Sequence, residues 1–336
     1  MPHNSQSARL TSAPPPPLKV AGALAVVYVV WGSTYLAIRV MVEDVPPLLG
    51  AGTRFLLAGA LLYAWVAARR PGPRVTRREL AGCAFVGTLL MFGGNGLVTV
   101  AERDVPSGLA ALLIASVPLW VIALRWLWGE RPRRATALGV AFGFLGVAVL
   151  LAPGQRPDGV SLAACLLVVL AALCWASGSF AGSRLPLPGD PLRSTALQML
   201  FGGAVMTAIA VPAGEPWALD LGGISADSWL AYAFLVFIGS IVAFTAYAWL
   251  LRNVPISTVA TYAYVNPVIA VVLGAVILSE PVGAATLAGM AIIVASVAFT
   301  MRLEGTERQT EPPAPEPHRV PATWATETSA GRTASG

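Results

Sequence analysis

Ten apolar runs, each 18 to 26 residues long, occupy almost the whole stretch from residue 18 to residue 301, separated only by short groups of proline, glycine and charge. A helix needs about 20 apolar residues to cross the hydrocarbon core of a bilayer, so runs of this length repeated ten times call for lipid as the solvent. The spans are Leu18 to Val40, Pro47 to Ala68, Leu80 to Ala101, Ser107 to Leu124, Ala135 to Ala152, Val160 to Gly182, Leu192 to Val211, Ala226 to Leu251, Ile256 to Leu278 and Ala284 to Met301. Composition agrees: charged residues make up 12% of the chain, too few to clothe a water-soluble globule, where ~25% is usual. The expected fold is therefore an all-α integral membrane protein of ten transmembrane helices.

Residues 1–17 are polar and end in Pro14 to Pro17, which predicts an extended, disordered tail. A secretory signal is the competing reading, since Arg9 and Lys19 precede an apolar run. That run continues to Ile38 with no small-x-small cleavage site after it, so it is read as the first helix. Residues 303–336 are rich in Pro, Thr and Glu and are expected to be disordered as well. The net charge of +5 does not indicate nucleic acid, because Lys19 is the only lysine and the arginines are scattered through short loops. They report orientation instead. Loops after the even-numbered spans carry 12 arginines and loops after the odd-numbered spans carry 3, so both termini are expected in the cytoplasm. Cys83, Cys165 and Cys174 are odd in number and lie in apolar runs, which argues against a disulfide framework.

The chain also repeats itself. Arg103, Val105, Pro106 and Pro118 recur 149 positions later as Arg252, Val254, Pro255 and Pro267. Glu130 and Gly139 recur 150 positions on as Glu280 and Gly289, while Trp31, Ser33 and Gly59 match Trp175, Ser177 and Gly203 at an offset of 144, where Arg54 meets Gln198. Residues 18–152 and 160–302 thus read as two copies of five helices. Five is odd, so the second copy enters the membrane from the opposite side. An inverted repeat suits a carrier, because exchanging the conformations of its halves exchanges the side that is open.

The segments carrying this pattern are WGSTYLAIR from Trp31, PPLLGAGTRFLLAGALL from Pro46, VPSGLAALLIASVPLW from Val105, GERP from Gly129, FTAYAWLLRNVP from Phe244 and TYAYVNPVIAVVLGAVILSEP from Thr261. As an ordered set they resemble the EamA-type transporters of the drug/metabolite transporter superfamily, over about residues 20 to 302. The resemblance implies a ten-helix inverted-repeat carrier of the bacterial inner membrane, often an exporter of amino acids or related metabolites. It also implies a central cavity lined chiefly by helices 1, 3, 4, 6, 8 and 9. A passive channel or a drug efflux carrier is the alternative.

Within the spans, Pro118 and Pro267 each remove a backbone hydrogen bond near mid-helix, which predicts hinges facing protein or a watery cavity. Tyr262, Tyr264 and Asn266 stand where the first copy has Leu113, Ala115 and Val117, so recognition is expected to rest more on the second broken helix. Tyr262 and Asn266 share a face, with Tyr264 turned away. Trp31 and Ser33 in helix 1, Trp175 and Ser177 in helix 6, Asn95 in helix 3 and Tyr247 in helix 8 complete the candidate substrate contacts, each equally readable as an interhelical staple. Arg54 is the one full charge clearly inside a span, away from its ends, about 10 Å from the start of helix 2 at ~1.5 Å per residue. It either receives a substrate carboxylate, braces the outer gate against Glu43 or Asp44, or snorkels to the surface. Gly139, Gly143, Gly178 and Gly182 read as close-packing positions.

No Asp or Glu lies near the middle of a span and the two histidines, His3 and His318, are in the tails, so a proton relay of the usual kind has no evident residue. Glu130 and Glu280 are expected to pair with nearby arginines or to cap the following helix. No metal-ligand cluster, nucleotide loop or nucleophilic triad is present, so no cofactor and no enzymatic activity are expected. The partners expected are a small-molecule metabolite and the lipid bilayer, with assembly into a homodimer left open.

Overall fold

In the computed structural model, residues 16–310 are described, apart from 71, 131, 132, 158, 255 and 260. Nearly all of the N-terminal tail, the C-terminal segment 311–336 and Pro255 of the second Arg-x-Val-Pro motif therefore lie outside the described residues. The long helices are α1 (Pro17–Asp44), α2 (Pro47–Arg69), α3 (Arg77–Ala101), α4 (Ser107–Leu127), α5 (Arg134–Leu151), α6 (Leu162–Gly182), α7 (Pro191–Ala210), α8 (Ala226–Leu250), α9 (Tyr262–Ile277) and α10 (Ala284–Thr310). Eight of them, all but α7 and α9, are long and apolar enough to cross a membrane. Helix α7 carries Arg193, Ser194 and Gln198 in its first half, and α9 is only 16 residues long.

The starts of these helices follow local chemistry. Pro17, Pro47 and Pro191 occupy first turns, where the missing N–H costs nothing. Thr76 and Glu79 form a reciprocal capping box at α3, and Ser161, Asp190 and Ser225 accept from backbone N–H groups at the starts of α6, α7 and α8. Three acids reach from other segments to helix N-termini, where backbone N–H groups and the helix dipole favour negative charge. Glu215 accepts from Leu48 and Leu49 of α2, Asp44 accepts from Ser225 and Ser228 of α8, and Glu280 accepts from Ser107 and Gly108 of α4. Glu280 therefore caps α4, an earlier helix, rather than the one that follows it. Its counterpart Glu130 pairs with Arg125 and Arg184. The Arg125 hydrogen bond, with Arg184 beyond it, holds that carboxyl below the usual carboxylate range.

Packing follows the duplication. Helix α2 lies along α7 and α5 along α10, each pairing with its own counterpart, while α1 on α9 is matched by α6 on α4. Close approach is made by small residues. A Cβ on Gly52 of α2 would stand 2.9 Å from the Thr207 backbone nitrogen, and one on Gly203 of α7 would stand 2.8 Å from the Gly52 carbonyl oxygen and the Leu56 nitrogen. Gly139 and Gly143 of α5 likewise receive Thr300 and Ser296 of α10, as their spacing predicts. The main apolar cluster, with Leu112, Leu113, Leu119, Val168 and Ile293 at its centre, joins α4 and α6 to α10.

Two kinds of irregularity interrupt these helices, and each occurs once per repeat. Thr88–Gly96 in α3 and Leu235–Val242 in α8 are wound as π-helix, an arrangement concentrated at functional sites. Their positions correspond at an offset of 145, which sets Phe92, Gly94 and Asn95 against Phe237, Gly239 and Ser240. In both, the polar side chain returns to the carbonyl five residues back: Asn95 Nδ2 donates to Leu90 O at 3.4 Å and Ser240 Oγ to Leu235 O at 2.9 Å.

The second irregularity is the break predicted from proline. In α4 the helical run stops at Ala115 and Ser116, just before Pro118, and Ser116 Oγ donates to Leu113 O. In the second repeat the interruption falls at Thr261, between the turn Ile256–Val259 and α9, with Thr261 Oγ1 donating to Thr258 O. Pro267 itself sits inside continuous helix. The ninth apolar run is thus two pieces broken six residues before its proline, not one span broken at it. Proline removes one bond from the turn before it, and at the break the Thr261 hydroxyl supplies a partner to the Thr258 carbonyl. The C-terminal helix also outruns its apolar segment, continuing to Thr310 through residues assigned above to a disordered tail.

Candidate functional site

Where α1, α3, α4, α6, α8 and α9 converge they enclose a cavity with ≈ 850 Å³ of atom-free space, including space open to solvent. Residues beside both breaks line it: Ile114, Ala115 and Pro118 from α4, and Tyr262, Ala263, Asn266 and Pro267 from α9. The carbonyls that the prolines free, on Ile114 and Ala263, belong to lining residues, which satisfies the requirement that unpaired backbone be kept from lipid.

Most of the residues singled out from sequence gather around this space. Trp31, Arg54, Asn95, Pro118, Trp175, Tyr262, Asn266 and Pro267 all line it. Trp31 and Trp175, the repeat-related pair, contribute from α1 and α6, and Trp175 lies against Gly94 so closely that a Cβ there would meet its ring at 2.6 Å. Trp31 is held edge-on or tilted by Phe244, Tyr247 and Tyr262 with ring centroids 5.1, 5.0 and 5.2 Å away, a geometry that fixes an aromatic wall in place.

Three candidates fall outside. Ser33 donates back to Val30 O at 2.9 Å and Ser177 is not among the lining residues. Tyr247 stands behind Trp31 and Tyr262, supporting the wall rather than forming it. Asn266 has a second occupation. With its amide nitrogen turned toward the neighbouring carbonyls, it donates to the backbone oxygens of Tyr28 and Tyr262, each at 3.2 Å. It therefore ties α1 to α9 as well as facing the cavity. Tyr264 is turned away from the lining set, as the helical period predicts, and packs on the main apolar cluster.

Thr34 and Tyr35, the polar neighbours of Trp31 that the sequence offers in helix 1, continue the α1 wall below it. Sequence reasoning passed over Ile38 and, from α8, Phe244. Ser240, though not a liner, holds Arg54: the guanidinium Nε donates to Ser240 Oγ at 3.1 Å, while Nη1 has no hydrogen-bond partner among the described residues. Arg54 is 2% exposed and so does not snorkel. Asp44 is committed to Ser225 and Ser228, so a brace between Arg54 and that acid is not formed. The signal for Ser240 was available in the Phe-x-Gly-polar recurrence at offset 145.

Glu102 is the larger surprise. Sequence assigned it to an outer loop, but as the first residue past α3 it is 0% exposed, and neither carboxylate oxygen has a hydrogen-bond partner among the described residues. Arg39 covers it by donating to the backbone carbonyls of Glu102 and Arg103. Burial first, and the neighbouring Glu280 second, push its carboxyl well above the ordinary range, against the pull of Arg39 and Arg54. Val98, one helical turn earlier, is a cavity residue, so Glu102 sits just beyond one end of the cavity. Among the described residues no group of His, Cys, Asp and Glu is placed to hold a metal ion.

Comparison with known proteins agrees with this architecture. The model of the EamA-like transporter family matches twice, over residues 19–152 and 162–302, the same two halves that the duplication marks. The uncharacterized inner membrane transporter YedA of Escherichia coli K12 is 42% identical over 260 residues, covering 76% of this chain and 82% of that protein. A probable amino-acid metabolite efflux pump of Salmonella typhimurium is 27% identical over 294 residues, covering 84% and 95%. A protein of known crystal structure shares the fold with a TM-score of 0.59 at 23% identity, over 85% of this chain and 97% of its own.

Proposed function

The chain belongs to the EamA-like transporter family, and from that premise we propose that it exports a small amphipathic metabolite, an amino acid or close relative, across the bacterial inner membrane by alternating access. All ten helices cross the bilayer in this reading, α7 and the short α9 included, with the halves inverted and both termini cytoplasmic. The observation that carries it is the cavity at the meeting point of two repeat-related broken helices, walled by Trp31 and Trp175 and furnished with amide and hydroxyl groups from Asn95, Asn266, Thr34 and Tyr35. Aromatic faces suit an aliphatic or aromatic side chain, while amides and hydroxyls suit a polar backbone. The self-pairing of α2 with α7 and of α5 with α10 supports an exchange of the two halves about a common axis. The efflux activity named for the Salmonella relative supports the direction and the substrate class.

Metabolites in the medium of overexpressing and deletion strains, followed by counterflow in proteoliposomes, test the proposal. A metabolite that accumulates outside on overexpression and shows trans-stimulated exchange is expected. Flux without trans-stimulation identifies a channel, and no movement of any metabolite overturns export.

A further inference from the structure

The cavity wall carries one formal charge, and that charge is left half-used. Arg54 enters from α2, a helix that otherwise packs against α7, and its guanidinium is almost wholly buried. The π-helical turn of α8 receives it. Ser240 accepts from Nε at 3.1 Å, and Gly239 lies alongside Nη2. Ser240 is itself anchored to Leu235 O, so the fork is fixed at its root while Nη1 finds no acceptor.

No ion pair forms with Arg54 among the described residues, and Glu102, beyond the cavity, acts on it only at longer range. Among the described residues no Asp or Glu lines the cavity. Among the described residues no acid lies within ion-pair distance of Arg54, with Asp44 bound to Ser225 and Ser228, and Glu280 bound to Ser107 and Gly108. Glu102, just beyond the cavity, is itself buried, and its carboxylate oxygens have no hydrogen-bond partner among the described residues. A buried, unpaired guanidinium N–H is costly unless something outside the fold completes it, and a planar oxyanion is the group that matches its fork.

We propose that Arg54 is the anion-recognition group of the cavity, binding the carboxylate of the transported molecule, with Ser240 as the residue that positions it. This deepens the carrier reading and rests on it. The substrate class narrows to carboxylates, and amines, amides and sugars lacking an acid group are excluded.

The test uses the full chain in lipid nanodiscs, titrated with matched pairs, L-leucine with L-leucinamide and L-phenylalanine with L-phenylalaninamide, while the fluorescence of the Trp31 and Trp175 wall is read. At least one acid should bind about tenfold or more tighter than its amide, a loss of one charge-assisted contact. In Arg54→Gln that preference should fall to within about twofold. Arg54→Lys should keep part of it, because the charge remains while the fork is lost. Ser240→Ala, which leaves the charge in place, should weaken the acid severalfold and the amide little, and it serves if Arg54→Gln does not fold. Equal binding of acid and amide, a preference that survives Arg54→Gln, or no binding by any acid overturns the proposal. Counterflow of a metabolite without an acid group would do the same while leaving the carrier reading intact.

Discussion

Replacing one glycine by alanine should have opposite consequences at two places in this protein, and the structure gives both signs. At Gly203, in the α2–α7 contact, a Cβ would lie 2.8 Å from the Gly52 carbonyl oxygen and from the Leu56 nitrogen. Both are backbone atoms of the facing helix, so no side chain can rotate away, and the helices must part by about 0.7 Å to restore a separation of ~3.5 Å. Parting loosens the neighbouring approach of Gly52 to Thr207 and of Gly59 to Ala196 and Met199. Because dispersion between closely fitted backbones replaces hydrophobic driving force in lipid, an overpacked contact of this kind should cost about 1–3 kcal/mol. At Gly22, in α1, a Cβ meets nothing within 4 Å. There the same substitution acts only through helix propensity and should stabilise by roughly 0.5–1 kcal/mol. The assay is thermal unfolding of both variants in one detergent, followed by steric trapping in bicelles for free energies. Gly203→Ala melting at or above the wild type would refute the close α2–α7 approach, and with it the pairing on which the two-fold packing rests.

Glu102→Gln should raise the melting temperature at pH 7 to 8. A carboxyl whose folded pKa is raised costs nothing while protonated in both states, and destabilises increasingly as pH climbs through the ordinary carboxylate range toward its folded value. The gain should vanish near pH 4, and an equal gain at both pH values would refute the buried acid. Glu280→Gln should destabilise by about 1–3 kcal/mol, since one carboxylate satisfies the Ser107 and Gly108 nitrogens at 2.7 and 3.0 Å at the start of α4. Glu130→Gln, whose exposed pairs with Arg125 and Arg184 are screened, should shift melting much less. Similar losses in the two variants would refute the different roles assigned to these repeat-related acids.

The sequence by itself determined the helical class, the duplication and most of the cavity wall, because each is written in local spacing. Apolar run length fixes what can cross a bilayer, proline marks where a helix gives way, and Trp31, Trp175, Asn95, Tyr262 and Asn266 stood out as polar or aromatic in apolar surroundings. Tertiary structure decided the rest. The π-helical turns of α3 and α8 differ from α-helix by one residue per turn, which composition does not record, and only the approach of α2 turns Ser240 into the seat of Arg54. Ser33 and Tyr247 share the helices of true liners but not their faces, and the face that looks inward depends on which helices surround it. Glu102 is the clearest case. One residue beyond an apolar run it reads as loop, and it is buried only because Arg39 folds over the end of α3 while residue 280, some 180 positions away, brings a second acid beside it. Burial of a charge at a helix end is a property of what packs there, and that information is spread over three segments distant in the chain.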